Sequence, residues 1–155
     1  MALLYLVRHA KAGERRTWEH SDIERPLSSK GWKQAKLLAD KLAKAEPTEL
    51  RSSPYVRCVQ TLEPLGEKTG LPVLADDRLA EYGPFEPVLE LLAEAPARSV
   101  FCSHGDVIPA TIDALVRRGV EITSPPDWRK ASTWVLKRNK HGEIVSTRAW
   151  PPPVV

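Results

Sequence analysis

The order of hydrophobic patterns predicts an α/β fold: a three-layer sandwich with a mostly parallel central sheet, helices on both faces and an antiparallel C-terminal edge. Three observations carry this expectation. Apolar runs of strand length alternate with stretches whose apolar residues recur at helical spacing; glycine and proline fall where the period changes; and the last two strand-like runs follow each other across a short polar turn.

Residues 3–7 are an apolar run of strand length, closed by Arg8. Trp32, Ala35, Leu38, Ala39 and Leu42 then recur at helical spacing behind Ser28, whose hydroxyl suits an N-cap. Residues 49–52 read as a second strand, and Ser53-Pro54 as the cap and first-turn proline of a helix reaching about residue 68, with Gly70 as its stop. A third strand is expected at 72–75, and a short helix at 86–95 bounded by Pro84, Pro87 and Pro96. The fourth strand, 99–103, leads to Asp106 as the cap of a helix from 107 to about 118, in which Pro109 lies in the first turn and its missing N–H is harmless. Residues 132–137 and 144–150 complete the pattern as two strands joined by a turn over 139–142.

A chain of 155 residues is expected to form one domain, 1–155, with a real core. The apolar start at 2–7 is too short to span a bilayer, and Arg8 breaks it before a signal-peptide core forms, so a cytoplasmic location without a membrane partner is expected. Cys58 and Cys102 make no disulfide framework, and no CxxC or HxxxH spacing is present, so reduced thiols and no metal or cofactor are expected. A net charge of only +3 argues against nucleic acid as a partner. Its distribution is uneven: residues 1–60 hold twelve Lys and Arg against seven acids, and residues 61–105 hold three against eight, which directs an anionic ligand to the first third. The oligomeric state is left open.

Polar clusters follow three of the predicted strands: "RHAKAG" the first, "SSPYVRC" the second and "CSHGD" the fourth. Ligands of such sheets bind beyond the carboxyl ends of the strands, so the three clusters share one rim. Neighbouring strand residues point to opposite faces, so Arg8 and His9 serve one ligand only if the strand breaks there, as Gly13 and the polar loop after it permit. His104 sits between strand and helix, Gly105 allows close backbone approach, and the following helix start offers N–H groups to an anion. Arg57, one turn into its helix, leans toward the helix N-terminus and the same rim.

Two arginines and two histidines on one rim suit phosphate, whose oxygens guanidinium groups grip in bidentate fashion. Singly, Arg8 reads as a surface residue, Arg57 as an exposed helix residue and His104 as a core histidine; together they read as a site. A neutral imidazole is a nucleophile toward phosphorus, and Arg8 and Arg57 oppose its protonation, which gives His9 the attacking role and a phosphohistidine intermediate. His104, Arg8 and Arg57 then hold the non-bridging oxygens. Glu81, in "DDRLAEYGP" behind the third strand, is the expected proton donor, ahead of Asp76 and Asp77. "GERRTWEHSDIERPL" reads as a solvated loop for most of its charges, with Lys11, Arg15, Arg16, His20 or Arg25 as candidates to contact a second phosphate or an acidic protein surface; Arg25 is the preferred accessory phosphate contact because Pro26 and Ser28 restrain it, and Trp18 is expected to pack on the loop. Cys102 is expected in the core, and Cys58 near the pocket without taking part.

In order between Leu4 and about Leu115, "LVRHAKAG", "RPLSSKGWKQA", "SSPYVRCVQT", "LAEYG" and "CSHGDVIPA" resemble the motifs of the histidine phosphatase superfamily, also called phosphoglycerate mutase-like. The resemblance implies that the nucleophile falls on His9, the phosphate-pocket partners on Arg8, Arg57 and His104, and the proton donor on Glu81. The short chain and "STWVL" look most like short phosphatase domains, alone or joined to Nudix hydrolases, and short bacterial phosphohistidine phosphatases are also similar. Two departures separate the chain from the mutases: after the shared Arg8-His9, residues 10–13 stand where they have a glycine and a polar segment with Ser and Asn, and only 22 residues lie between Glu81 and His104 where they carry a long insertion. So short a connection leaves little material for a lid, and an open site admits water, which favours hydrolysis over mutase chemistry. The expected activity is hydrolysis of a phosphomonoester, small molecule or nucleotide, with a protein phosphohistidine as the alternative substrate. A catalytically silent phosphate-binding or interaction module is the reading from another class.

Overall fold

The structure, a computed structural model, describes residues 1–155. Its strands are β1 (Ala2–Arg8), β2 (Glu49–Ser52), β3 (Val73–Ala75), β4 (Ser99–Ser103), β5 (Glu121–Ile122), β6 (Thr133–Arg138) and β7 (Ile144–Trp150). They form one seven-stranded sheet in the order β3-β2-β4-β1-β6-β7-β5. The neighbours β3, β2, β4 and β1 run parallel, whereas β6 is antiparallel to β1 and β7 to β6. The helices are α1 (Ser29–Ala43), α2 (Val56–Thr69), α3 (Glu86–Glu94) and α4 (Val107–Arg117).

Side-chain alternation along the central strands sorts the core into two layers. Leu4 and Leu6 of β1 and Phe101 of β4 pack with Val88 and Leu92 of α3 and Ile108 and Ile112 of α4. Tyr5 and Val7 of β1 and Val100 of β4 point the other way, onto Leu38 and Leu42 of α1 and Leu62 and Leu65 of α2. Every residue of β4 is buried, as a strand covered on both faces requires. The three-layer α/β sandwich expected from the sequence is therefore the fold observed, and its parallel half lies between two helix pairs.

Local chemistry explains most boundaries. The Ser28 hydroxyl accepts a hydrogen bond from Gly31 N–H at the start of α1, and Gly70 ends α2 in the left-handed region at φ 76°. The expected start of α2 at Ser53-Pro54 is corrected: the helix begins at Val56, with Tyr55 still extended. Ser53 N–H continues the ladder to the Cys102 carbonyl, and its hydroxyl is engaged by Tyr55 N–H and the His104 ring, so Ser53 belongs to the sheet rim rather than to the helix. Arg57 is accordingly the second residue of the helix, not one turn in. Strand β5, parallel to β7 at the far edge, was not expected; two residues are too few to show a period.

Candidate active site

Strand β1 ends at Arg8 because, from Ala10, the backbone N–H groups leave the ladder for side chains. His9 N–H donates to the Ser103 carbonyl, while Ala131 N–H is shared between the Arg8 and His9 carbonyls, at 3.1 Å each. The chain then turns away, with Ala10 N–H on Thr61 Oγ1 and Lys11 N–H on Gln34 Oε1, both at 3.0 Å. This is the strand break that lets Arg8 and His9 serve one cavity.

His9 is nearly buried, with 6% of its surface exposed. Its Nδ1 lies 2.8 Å from the Ala10 carbonyl and can only donate to it, which leaves Nε2 with the ring's lone pair. Burial lowers the His9 pKa to about 3, with further contributions from His104, Arg57 and Arg8 against the raising effect of the Ala10 carbonyl. The expected lowering is present, and desolvation rather than the arginines is its largest cause.

His104 packs edge-on to His9, with ring centroids 5.5 Å apart, and edge-on to Tyr55 at 4.7 Å. Its Nε2 lies 2.8 Å from Ser53 Oγ, and its buried Nδ1 has no partner within the protein. The Arg8 guanidinium lies against Gly105, so close that an added Cβ there would fall 2.7 Å from Arg8 Cζ. Its Nη1 donates to the Trp128 carbonyl at 2.6 Å, and its buried Nε is unpartnered.

Arg57 is fully buried. Its Nη2 contacts Glu81 Oε2 at 2.9 Å and Asp22 Oδ2 at 3.1 Å, its Nη1 donates to the Asp22 carbonyl at 2.8 Å, and its Nε has no partner. Glu81 also meets Arg15 Nη2 at 3.2 Å, so its carboxylate bridges two guanidiniums. The turn that carries it is held by Tyr82, which adopts φ 69° and donates its N–H to Asp106 Oδ2 at 2.8 Å. The other Asp106 oxygen accepts from Val107 N–H, so the cap predicted for α4 also fixes the Glu81 turn and occupies a helix N–H expected to face an anion.

A cavity of about 430 Å³ opens above these groups. Arg8, His9, Arg25 and Glu81 line it, whereas Arg57 and His104 are buried and not part of the lining; Arg57 meets the cavity through Glu81 and His104 packs against His9. Arg25 is committed to the loop: its Nε donates to Asp22 Oδ1 at 2.9 Å and its Nη1 to the Gly13 carbonyl at 2.6 Å. Asp76, the weaker rival for the acid, is paired with Arg78 and Arg51 and does not line the cavity. Trp18 packs within its loop, its indole N–H on the Ser21 carbonyl. Cys58 is buried with Sγ 3.5 Å from His104 Nε2.

Asp22, Ser53 and Lys130 enter the site without having been singled out from the sequence. From sequence alone Asp22 belongs to the solvated loop, although "SDIER" places an acid three residues before Arg25, a spacing at which the two pair. Ser53 has the local chemistry of a helix cap. Lys130 lies in the turn before β6, at the amino end of an antiparallel strand, where an argument from the carboxyl ends of strands does not point.

The parallel strand ends, with their histidine pair and buried guanidiniums, define an α/β protein with an oxyanion-type pocket. The sequence profile of the histidine phosphatase superfamily (branch 1) matches residues 4–94, and the chain belongs to that family. A relative from Mycolicibacterium smegmatis, an 8-oxo-(d)GTP phosphatase, is 33% identical over 154 residues, covering 96% of this chain. The chain spans 48% of that relative's length. Among solved structures, the protein histidine phosphatase SixA complexed with tungstate superposes with a TM-score of 0.72 at 23% identity, covering 92% of each chain. The mycobacterial glucosyl-3-phosphoglycerate phosphatase Rv2419c gives a TM-score of 0.68 at 23% identity, covering 97% of this chain and 98% of its own. No helix is long and apolar enough to cross a membrane.

Proposed function

We propose that residues 1–155 form one cofactor-independent phosphatase domain, acting in the cytoplasm, that hydrolyses a phosphomonoester of a small molecule or nucleotide through a phosphohistidine on His9. The observation that carries this reading is the fixed tautomer of His9: with Nδ1–H on the Ala10 carbonyl and its pKa lowered to about 3, Nε2 keeps a free lone pair at neutral pH. In the first step Nε2 attacks phosphorus, the P–O ester bond breaks, and Glu81 in its acid form protonates the leaving oxygen. In the second, the Glu81 carboxylate takes a proton from water, the resulting hydroxide attacks phosphorus, and the P–N bond breaks to release phosphate.

The unpartnered Arg8 Nε, Arg57 Nε and His104 Nδ1 supply donors for the non-bridging oxygens. With Ser53 donating to Nε2, the His104 proton sits on Nδ1, the atom that would meet the phosphoryl group. An arriving phosphoryl group competes with Glu81 for Arg57, which frees the carboxyl group for proton transfer. Arg25, which lines the cavity, is the accessory phosphate contact.

A protein phosphohistidine is the second substrate class, supported by the exposed Arg15 and Arg16 on the loop beside the cavity. Rapid alkaline quenching during turnover of an aryl phosphate, followed by peptide mass spectrometry, should find an acid-labile, alkali-stable phosphate on His9. An active wild type without that adduct, together with an active His9→Ala variant, would remove His9 as nucleophile.

A further inference from the structure

The cations that line the cavity are not equally committed. Arg25 is held by Asp22 and the Gly13 carbonyl of its own loop, Arg15 by Asp22 and Glu81, and Arg8 by the Trp128 carbonyl. The ammonium groups of Lys11 and Lys130, which line the same cavity, take part in no ion pair or hydrogen bond. An adjoining cavity of about 410 Å³ shares both lysines and adds Lys30. No Asp or Glu lines this second cavity, whose wall also includes Arg129 and the last residue, Val155.

Both lysines stand on backbone that is tied to the nucleophile. Lys11 is two residues beyond His9, its N–H on Gln34 and its carbonyl accepting from Ser28 N–H and Oγ. Lys130 precedes Ala131, whose N–H holds the Arg8 and His9 carbonyls and whose φ of 67° fixes the turn. Partial burial and the positive charges of Arg8, Arg25, Lys11 and Arg15 lower the Lys130 pKa, although Glu14, Glu81 and Asp106 line the same cavity. Only one lining residue of the His9 cavity is apolar, Ala12, so the wall offers charge and no ring on which a base could stack.

We infer that Lys11 and Lys130 form a second anion subsite beside His9, which selects substrates whose leaving group carries a phosphoryl group of its own. This deepens the phosphatase reading and rests on it. The reacting phosphoryl group lies over His9, and the second lies between the two ammonium groups, where each makes a charge-assisted contact.

The test uses the full chain with p-nitrophenyl phosphate, which has one phosphoryl group, and adenosine 3′,5′-bisphosphate, which has two, each a monoester. The ratio of kcat/KM for the bisphosphate to that for the aryl ester should fall about tenfold in Lys11→Ala and in Lys130→Ala, through KM. Lys11→Arg and Lys130→Arg should restore most of the ratio. Lys140→Ala, on the hairpin turn at the opposite end of the sheet, should leave it unchanged. A doubly substituted Lys11→Ala/Lys130→Ala protein with the wild-type ratio overturns the subsite. If the wild type releases phosphate from neither compound, the phosphatase reading fails and calorimetry decides the subsite separately. Tighter binding of inorganic pyrophosphate than of inorganic phosphate, lost in the double variant, supports it; equal binding of the two anions overturns it.

Discussion

Leu42 and Arg57 are both fully buried, Leu42 in the last turn of α1 and Arg57 in the first turn of α2, yet the surroundings of the two side chains differ in kind. Leu42 sits in a closed apolar cluster in which every neighbour gains from its presence. Arg57 sits among carboxylates with one N–H unanswered. Five buried side-chain polar atoms lack a partner, and three of them belong to Arg8, Arg57 and His104. Leaving such an atom unpaired costs about 1–3 kcal/mol, so the rim is held against its own preference by the layers beneath it. The difference separates what stabilises this molecule from what it is built to bind.

The largest expected effects break the comparison apart. Arg57→Met should lower kcat/KM by roughly a thousandfold, the scale of losing a preorganised oxyanion donor. It should change unfolding free energy by no more than about 1 kcal/mol, because Asp22 and Glu81 are partly exposed and keep Arg25 and Arg15 as partners. Leu42→Ala should do the opposite, losing about 2–5 kcal/mol of stability while the folded protein keeps its turnover. Urea titration and steady-state kinetics on both variants read the two quantities. The contrast collapses if Arg57→Met unfolds the protein as Leu42→Ala does.

The same contrast explains what could be read from the sequence. The two layers were legible because burial imposes a period: 3–7 and 99–103 alternate between helix pairs, and α1 repeats its apolar face. His9, Arg8 and His104 were legible because a parallel sheet sends its strand ends to one rim. Ser53 was misread since its hydroxyl suits a helix cap as well as it suits His104, and local chemistry does not choose between them. Asp22 and Lys130 were not legible as site residues, because their places depend on how a loop folds back and on Ala131 reaching across to β1. Neither leaves a periodic trace.

A sharper version of the comparison comes from one substitution made twice. An added Cβ at Gly31 would overlap the Lys11 carbonyl oxygen, which is backbone and clamped by Ser28. At Gly105 it would meet the Arg8 guanidinium at 2.7–2.9 Å, the far end of a side chain anchored through Trp128. Gly31→Ala should therefore lose about 1–3 kcal/mol of stability as the loop is forced off α1. Gly105→Ala should stay folded with a smaller loss and a roughly tenfold lower kcat/KM as Arg8 is displaced. Equal thermal shifts in the two variants, with unchanged kinetics in Gly105→Ala, would mean that Arg8 is not held by that contact.

The smallest effect is a slope. His9 has a folded pKa of about 3, below the usual value near 6.5 of an unfolded histidine. Between those values the unfolded chain binds a proton that the folded protein refuses, so this contribution to stability is complete above about pH 6.5 and is lost as pH falls toward 3. One such proton gives a slope of at most about 1.4 kcal/mol per pH unit. Denaturant titrations at pH 7, 6 and 5 should show the wild type losing stability faster than His9→Ala over that span, by up to this slope. Over the same span the free enzyme should not lose kcat/KM through protonation of His9, since its Nε2 stays unprotonated. Parallel stability curves for the two proteins would place the His9 pKa back near its ordinary value, and with it would go the argument that burial, more than the two arginines, keeps this imidazole ready to attack.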